Sequence, residues 1–379
     1  MAVTAELAVE HRLVLDTIER YCRDVLAPQA AEIDRTGRSV TCHLPTLAEL
    51  GVMGLNLGEA LGGPGLPGPV LFEAVAKMAG ACGSTASMVT AHWLATDSIA
   101  IGGDAAQHAR WLPDAAAGKA LGSFALTEPG AGSNPAEMST LAVREGEHYR
   151  LRGTKHFISN VDEAQFIVVY AKTDPAAGAR GISAFVVDAR SDGLRVSPPE
   201  PTMGLRGSHV CEIAFDCLVP VADRLGPEGS GFRTALKVLD GGRVEIAACA
   251  VGIAEAALDA ALAWARERRV GGAPIAEFQG LQWMLADMAT ELAAARALGV
   301  AASEMRGRGE RYSLQASMAK LYASEMSARV TDRALQIHGG YGFTTGLPLE
   351  RYVRDCRIFR IYEGSSEVQR NIIARGLVG

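Results

Sequence analysis

The feature that most restricts the fold is a change of texture that occurs twice along the chain. Residues 120–230 carry short β-rich runs: GSFALT, HYRLRGTKHFIS, QFIVVYAK, GISAFVVD and HVCEIAF. Turn-rich pieces such as EPGAGSN, KTDPAAGAR and DARSDG separate them. No helical period is interleaved with these runs. Antiparallel pairing is therefore expected, and a doubly wound parallel sheet is disfavoured.

The flanks read as helices. In residues 1–119, Val14, Ile18, Tyr21, Cys22 and Val25 recur at helical spacing, and Pro28 ends or interrupts that element. Further helices are expected over Pro69–Ala81, Thr85–Gly102 and Asp104–Leu112, with Pro113 as a stop. Residues 231–379 hold three long helical patterns, Thr234–Ala265, Ile275–Glu304 and Leu314–His338, and two short ones, Leu349–Arg354 and Ser366–Ala374. A helix bundle follows. The expected division is 1–119 helical, 120–230 β and 231–379 helical bundle.

The chain has 379 residues, enough for two or three domains, and 37 basic against 43 acidic residues, which argues against general nucleic-acid binding. The first eighteen residues carry acids and no unbroken apolar run, so neither a signal peptide nor a transit peptide is expected. Glu245, Glu255 and Asp259 interrupt the most apolar stretch, so no membrane span is expected. Seven Cys at irregular spacing read as thiols in a reducing, cytoplasmic compartment. The eight His form no local metal-ligand pattern, so no metal is expected.

Several segments can carry chemistry. Thr127–Asn134 is a glycine-containing loop after a strand, able to turn backbone N–H groups toward an anion or ring edge; an ordinary loop remains the simpler reading. Alternation puts Phe157 and Ser159 on one face, as a ring wall and a donor or as a core Phe and a turn Ser. Asp240 and Arg243 share a helix face as an ion pair, while Glu245 points elsewhere. Arg266, Arg268 and Arg269 suit a helix C-terminus or a phosphate. Gly339, Gly340 and Gly342 after a long helix exceed what one cap requires, which favours ligand contact. Glu363 lies between Tyr362 and Gly364 at an element junction. It can be a base if its pKa is raised, or a solvated or capping carboxylate.

The ordered set FALTEPGAGSN (124–134), GTKHFISN (153–160), MGLRGS (203–208), LDGGR (239–243), RRVGGAPIAEFQGLQ (268–282), ALQIHGGYGF (334–343) and LPLERYVRDCRIFRIYEGSSEVQR (347–370) resembles the acyl-CoA dehydrogenase family over essentially the whole chain. The resemblance implies an N-terminal helical domain, a middle β domain and a C-terminal four-helix domain. It implies FAD between the β domain and the C-terminal helices, a homotetramer, and an electron-transferring flavoprotein as acceptor. It assigns the flavin to Phe124, Leu126, Thr127, Gly132, Ser133, Phe157, Ser159, Ser365 and Glu367. It assigns the cofactor of a neighbouring subunit to Arg268, Gln279, Gln336, Gly339 and Gly340. The acyl-CoA substrate falls to Ser133, Asp240, Arg243, Tyr362, Glu363 and Gly364, with Met88 and His92 flooring the acyl pocket for a short or branched group.

By the same resemblance Glu363 is the catalytic base of an α,β-dehydrogenation. The alternative base position of some relatives is Gly242, which cannot take a proton. Two departures are visible: Gly271 stands where the family commonly has Phe, and Phe157 where it commonly has Trp. Two other readings stay open on sequence: different chemistry on an unusual thioester, as in an oxidase or desulfinase, and a non-catalytic flavin-binding scaffold.

Overall fold

The computed structural model describes residues 8–379. The first seven residues, part of the segment read as free of targeting signals, lie outside the described residues. The N-terminal helices are α1 (Val9–Tyr21), α2 (Ala27–Thr36), α3 (Leu44–Glu49), α4 (Gly68–Ala81), α5 (Gly83–Gly102) and α6 (Ala105–Ala116). Strands follow: β1 (Gly122–Ala125), β2 (Leu141–Glu145), β3 (His148–Ser159), β4 (Phe166–Lys172), β5 (Ile182–Asp188), β6 (Leu194–Val196), β7 (Val210–Pro220) and β8 (Arg224–Leu225). Then come α7 (Gly231–Glu267), the hairpin β9 (Arg269–Val270) and β10 (Ala273–Pro274), α8 (Gln279–Gly307), α9 (Ser313–His338), α10 (Leu349–Cys356) and α11 (Ser366–Val378).

The two prolines act differently from simple stops. Pro28 lies just past a π-helical turn at Cys22–Leu26 that joins α1 to α2 in one continuous run, so its missing N–H interrupts the ladder without ending the helix. Pro113, expected to end its helix, instead lies inside α6, which runs on to Ala116. It sits in the last turn, so only one hydrogen bond near the end is lost.

The sheet runs β6-β7-β3-β2-β4-β5-β8, with β1 beside β4. Its long ladders are antiparallel, but β1 and β2 both pair with β4 in parallel. The register of β3 against β7 shifts between Lys155 and Ile158, and Phe157 has φ 56°. This bulge reverses the alternation: Lys155 is buried before it and Ile158 after it. Phe157 and Ser159 consequently do share the less buried side, but through a bulge rather than a regular strand.

Helix α7 is the axis of the molecule, packed by α4, α5, α8 and α9. Its buried Ala247, Ala248, Ala250, Ala254, Ala257 and Ala261 keep neighbouring helices close. By length and composition α7 is apolar enough to cross a membrane, which the sequence expectation excluded. Most of the apolar stretch is covered by other helices, as in a core helix. All seven Cys are free, and six are buried as small core residues.

Candidate active site

Glu363 occupies a corner made by α7, α9 and the turn into α11. The backbone turns there through two left-handed residues, Glu363 (φ 52°) and Gly364 (φ 93°). A non-glycine residue in that conformation persists only where its surroundings hold it. Lys320 Nζ of α9 donates to the Gly364 carbonyl at 2.6 Å. Gln369 Nε2 donates to the same carbonyl at 2.9 Å and to the Glu363 carbonyl at 3.2 Å. Arg243 Nε reaches the Glu363 carbonyl at 3.5 Å. Ser365 accepts from Val368 N–H at 3.4 Å and caps α11, whose first turn carries the exposed Glu367.

The carboxyl group faces inward. Although the residue keeps some exposed surface, Oε2 is buried without a hydrogen-bond partner. Burial, helped by the nearby Glu245 carboxylate and opposed by Lys320 and Arg243, raises its pKa to about 8. A Cβ on Gly242 would collide with Oε2 and lie 2.8 Å from Leu94 Cδ2, so both family base positions meet in this corner. Tyr362 stacks on Phe359 at 6.0 Å, and its hydroxyl is unpartnered.

Arg243 is buried, and its Nη1 donates to Asp240 Oδ1 at 2.6 Å. Ser313 Oγ donates to the other Asp240 oxygen. Glu245 indeed points away from this pair: it accepts from Arg306 at 2.9 Å, and Arg306 also holds Asp97 at 2.7 Å.

A second group of expected residues meets beside the bulge. His156 N–H donates to the Thr127 carbonyl at 2.9 Å, and Ser123 Oγ to the Ser159 carbonyl at 2.7 Å. These bonds bring the 124–134 and 153–160 segments together. Phe157 is 63% exposed beside Thr127, and Gly132 and Ser133 are exposed on the same loop. Leu126 is buried, and Phe124 leans on Tyr170 with ring centres 5.2 Å apart. The loop is anchored by a pair that sequence reading missed. Lys155 Nζ donates to Glu128 Oε1 and to the Leu126 carbonyl, each at 2.9 Å. Glu128 also accepts from Ser139 and Thr140 N–H groups, and its pKa falls to about 2 against the cost of burial.

A third group lies on another face. Arg268, Gly339 and Gly340 line an open pocket of about 520 Å³ with Trp264, His338 and Tyr341. Gln279 and Gln336 are exposed on the flanking helices but do not line it. Gly271 (φ 60°) and Gly272 (φ 86°) form the two-residue turn of the β9–β10 hairpin, which accounts for glycine in place of the common Phe.

Met88 and His92 are corrected. They are 1% and 0% exposed: Met88 packs in the helical core, and His92 meets Phe166 of β4 at the seam with the β domain. Gly122 N–H donates to His92 Nδ1 at 2.8 Å, and Asn160 Nδ2 to the Met88 carbonyl at 2.9 Å. Burial lowers the His92 pKa to about 4 and keeps the ring neutral. Side chains without accessible surface offer none to an acyl group; Leu94, two residues past His92, is an α5 residue that reaches the carboxylate corner.

The sequence also hid one cluster of potential ligands, Asp162, Glu163 and His209, which converge through the fold. Both ring nitrogens of His209 are engaged, Nδ1 with Asp162 at 2.7 Å and Nε2 with the Gly37 carbonyl at 2.9 Å. The cluster therefore reads as an ion pair.

Residues 8–119, 123–218 and 229–378 match the acyl-CoA dehydrogenase N-terminal, middle and C-terminal domains respectively. An acryloyl-CoA reductase (NADH) of Anaerotignum propionicum is 40% identical over 97% of this chain and 94% of that one. A short-chain specific acyl-CoA dehydrogenase of Clostridium acetobutylicum is 39% identical over 97% and 98%. Among solved structures, butyryl-CoA dehydrogenase from Megasphaera elsdenii superposes with a TM-score of 0.96 at 35% identity, covering 99% of each chain. A chain from work on the electron transferring flavoprotein of Acidaminococcus fermentans superposes with a TM-score of 0.97 at 38% identity over the full length of both. Three matching domains, in the order and architecture described, make this chain a member of the acyl-CoA dehydrogenase family of flavin-dependent oxidoreductases.

Proposed function

We propose that this enzyme converts a short acyl-CoA thioester to its trans-2-enoyl-CoA, with Glu363 removing the α-proton. The observation that carries this reading is the Glu363 carboxyl group, buried at Oε2, free of a hydrogen-bond partner and raised to about 8. An ordinary carboxylate is too weak a base for a thioester α-proton; one poised near neutrality is far better matched. Substrate entry would expel more water and keep the group basic. The Glu363 backbone N–H, set by the left-handed turn, would hold the thioester oxygen where enolate charge develops. Arg243 and Asp240 would meet the substrate from α7.

FAD is the proposed flavin. Exposed Phe157, the hydroxyl groups of Thr127, Ser133 and Ser159, and the open glycines of the loop fit an isoalloxazine ring. The bound flavin supplies the acceptor for the β-hydride. Arg268, Gln279, Gln336, Gly339 and Gly340, together on a face away from Glu363, suit the adenosine and pyrophosphate of a neighbouring subunit's FAD, and so a homotetramer. The flavoprotein-associated structural relative supports an electron-transferring flavoprotein as acceptor. The short-chain and butyryl relatives support a short acyl group. Buried free thiols suit a cytoplasmic setting.

The test is anaerobic stopped-flow mixing of the flavin-loaded protein with straight C4 to C16 and branched acyl-CoAs. Flavin absorbance should bleach fastest with a short chain. A flavin-loaded protein that none of them bleaches would sink the reading. One observation favours a second direction. A carboxyl group with a pKa near 8 holds its proton at neutral pH and can deliver it to Cα of an enoyl thioester. The relative named acryloyl-CoA reductase is consistent with that. Reoxidation of the photoreduced flavin by enoyl-CoA under nitrogen decides it.

A further inference from the structure

Lys320 is a buried charged group beside Glu363 that neither the sequence reading nor the proposed chemistry uses. It lies in the middle of α9 with no exposed surface. A buried ammonium is costly unless paired. Its nearest partner is a neutral carbonyl, that of Gly364, at 2.6 Å. That carbonyl belongs to the second of the two left-handed residues that aim Glu363. The Glu363 carboxylate is the leading charge that stabilises the Lys320 ammonium, and Lys320 in turn opposes the rise in the Glu363 pKa.

We propose that Lys320 is a positioning residue for Glu363, fixing the turn that presents the base through the Gly364 carbonyl and holding the carboxylate ionisable through its charge. The proposal rests on the reading of Glu363 as the base. It explains why a lysine rather than an apolar residue fills a helix core. The amide of Gln369 already donates to both carbonyls of the turn, so the geometry has a second support. The charge has a weaker substitute in Arg243, whose guanidinium is committed to Asp240.

The titratable and charged groups facing this corner come from several elements: Arg243, Glu245 and Cys249 of α7, Glu325 of α9, Tyr362 before the turn, and Glu367 of α11. Glu245 is tied to Arg306, and Glu325 and Glu367 lie on the exposed side. Removing the Lys320 charge therefore leaves the buried Glu363 carboxyl group beside Glu245 with Arg243 as its remaining cationic compensation. The Glu363 proton should be held more tightly.

The experiment compares K320M, K320R and the parent as flavin-loaded enzymes, by bleaching with butyryl-CoA from pH 6 to pH 10. K320M should move the rising limb of the rate to higher pH by about one unit, a loss of roughly tenfold on that limb. K320R, which keeps the charge, should restore the parent limb. A uniform fall at every pH with an unmoved limb would mean a merely structural lysine and overturn the proposal. Should K320M not fold, K320Q against K320R answers by the same criterion. A readout independent of turnover is the infrared carbonyl band of protonated Glu363, identified by its absence in E363Q. In K320M the band should persist to higher pH than in the parent, and a coincident titration overturns the proposal. If the parent is not bleached by any acyl-CoA, the reading of the function fails, while the infrared titration still decides the coupling of the two side chains.

Discussion

Gly242 and Glu363 compete for one volume: a side chain on the glycine would enter the space of the Glu363 carboxyl group, with Leu94 Cδ2 closing the other side at 2.8 Å. The two positions where the family resemblance allows a base are thus neighbours across α7 and the turn before α11. One can carry a carboxylate only if the other is small. Replacing Gly242 with Ala should push the carboxyl group off its position. Overpacking of this kind costs about 1–3 kcal/mol of stability. Bleaching by butyryl-CoA should fall by at least roughly tenfold, since a small misplacement of reacting groups is expensive. A G242A enzyme that bleaches within twofold of the parent would show that the corner has room to spare.

Replacing Glu363 with Gln keeps size and removes the proton acceptor. Bleaching should drop by roughly 10²–10⁴, with flavin and acyl-CoA still bound. The same variant tests the raised pKa through stability. The carboxyl group titrates at 4.5 ordinarily and at about 8 in the fold. Below the lower value both states hold the proton and nothing is lost. Between the two, the folded chain keeps a proton that the unfolded chain releases, so the parent loses stability as pH rises through that window. E363Q escapes this loss. Its melting temperature relative to the parent should climb from pH 5 to pH 9 and then level off; a constant difference would falsify the raised pKa.

The pair Lys155–Glu128 anchors the loop that carries Thr127 and Ser133. Both side chains are buried, and the ion pair spans 2.9 Å. K155M would strand Glu128 beside Met138, although its bonds from Ser139 and Thr140 remain. Breaking a buried pair from one side typically costs about 3–5 kcal/mol, and the surviving bonds put this case near the lower end. Differential scanning calorimetry should register that loss, and the variant should release flavin on gel filtration more readily than the parent. Restoration of much of the stability by E128Q in the K155M background would tie the cost to the stranded charge.

What was legible in the sequence follows from the range of each interaction. Helices and strands were readable because 3.6- and 2-residue periods are local. Asp240 and Arg243 were readable because three residues on a helix share a face. Glu363 drew notice as a carboxylate at a junction, but its raised pKa comes from residues distant in sequence: Oε2 is buried against Gly242, and Glu245, Lys320 and Arg243 set the charge around it. Lys155–Glu128 and Lys320–Gly364 join residues 27 and 44 apart, and no local rule links them. The bulge at Phe157 was hidden because alternation was assumed to run through the strand. His92 was placed in the acyl pocket by the family resemblance; only the approach of β1 shows that its ring is spoken for.

That reassignment of His92 and Met88 leads to a substitution test of the acyl pocket. Met88 is 1% exposed in the helical core, whereas Leu94 is 8% exposed and touches the carboxylate corner. If pocket depth is set at that corner, M88A should cost stability without changing preference. Truncating a buried Met typically costs about 2–5 kcal/mol. The ratio of kcat/KM for octanoyl-CoA over butyryl-CoA should stay within twofold of the parent. On the same premise L94A removes bulk beside the Glu363 carboxyl group and should raise that ratio. A pocket difference of one methylene group is already worth about 1–3 kcal/mol, or roughly 10–200-fold. The measurement is the ratio in both variants with a ferricenium acceptor. A large shift in M88A with none in L94A would return the pocket floor to the α5 residues first read from the sequence.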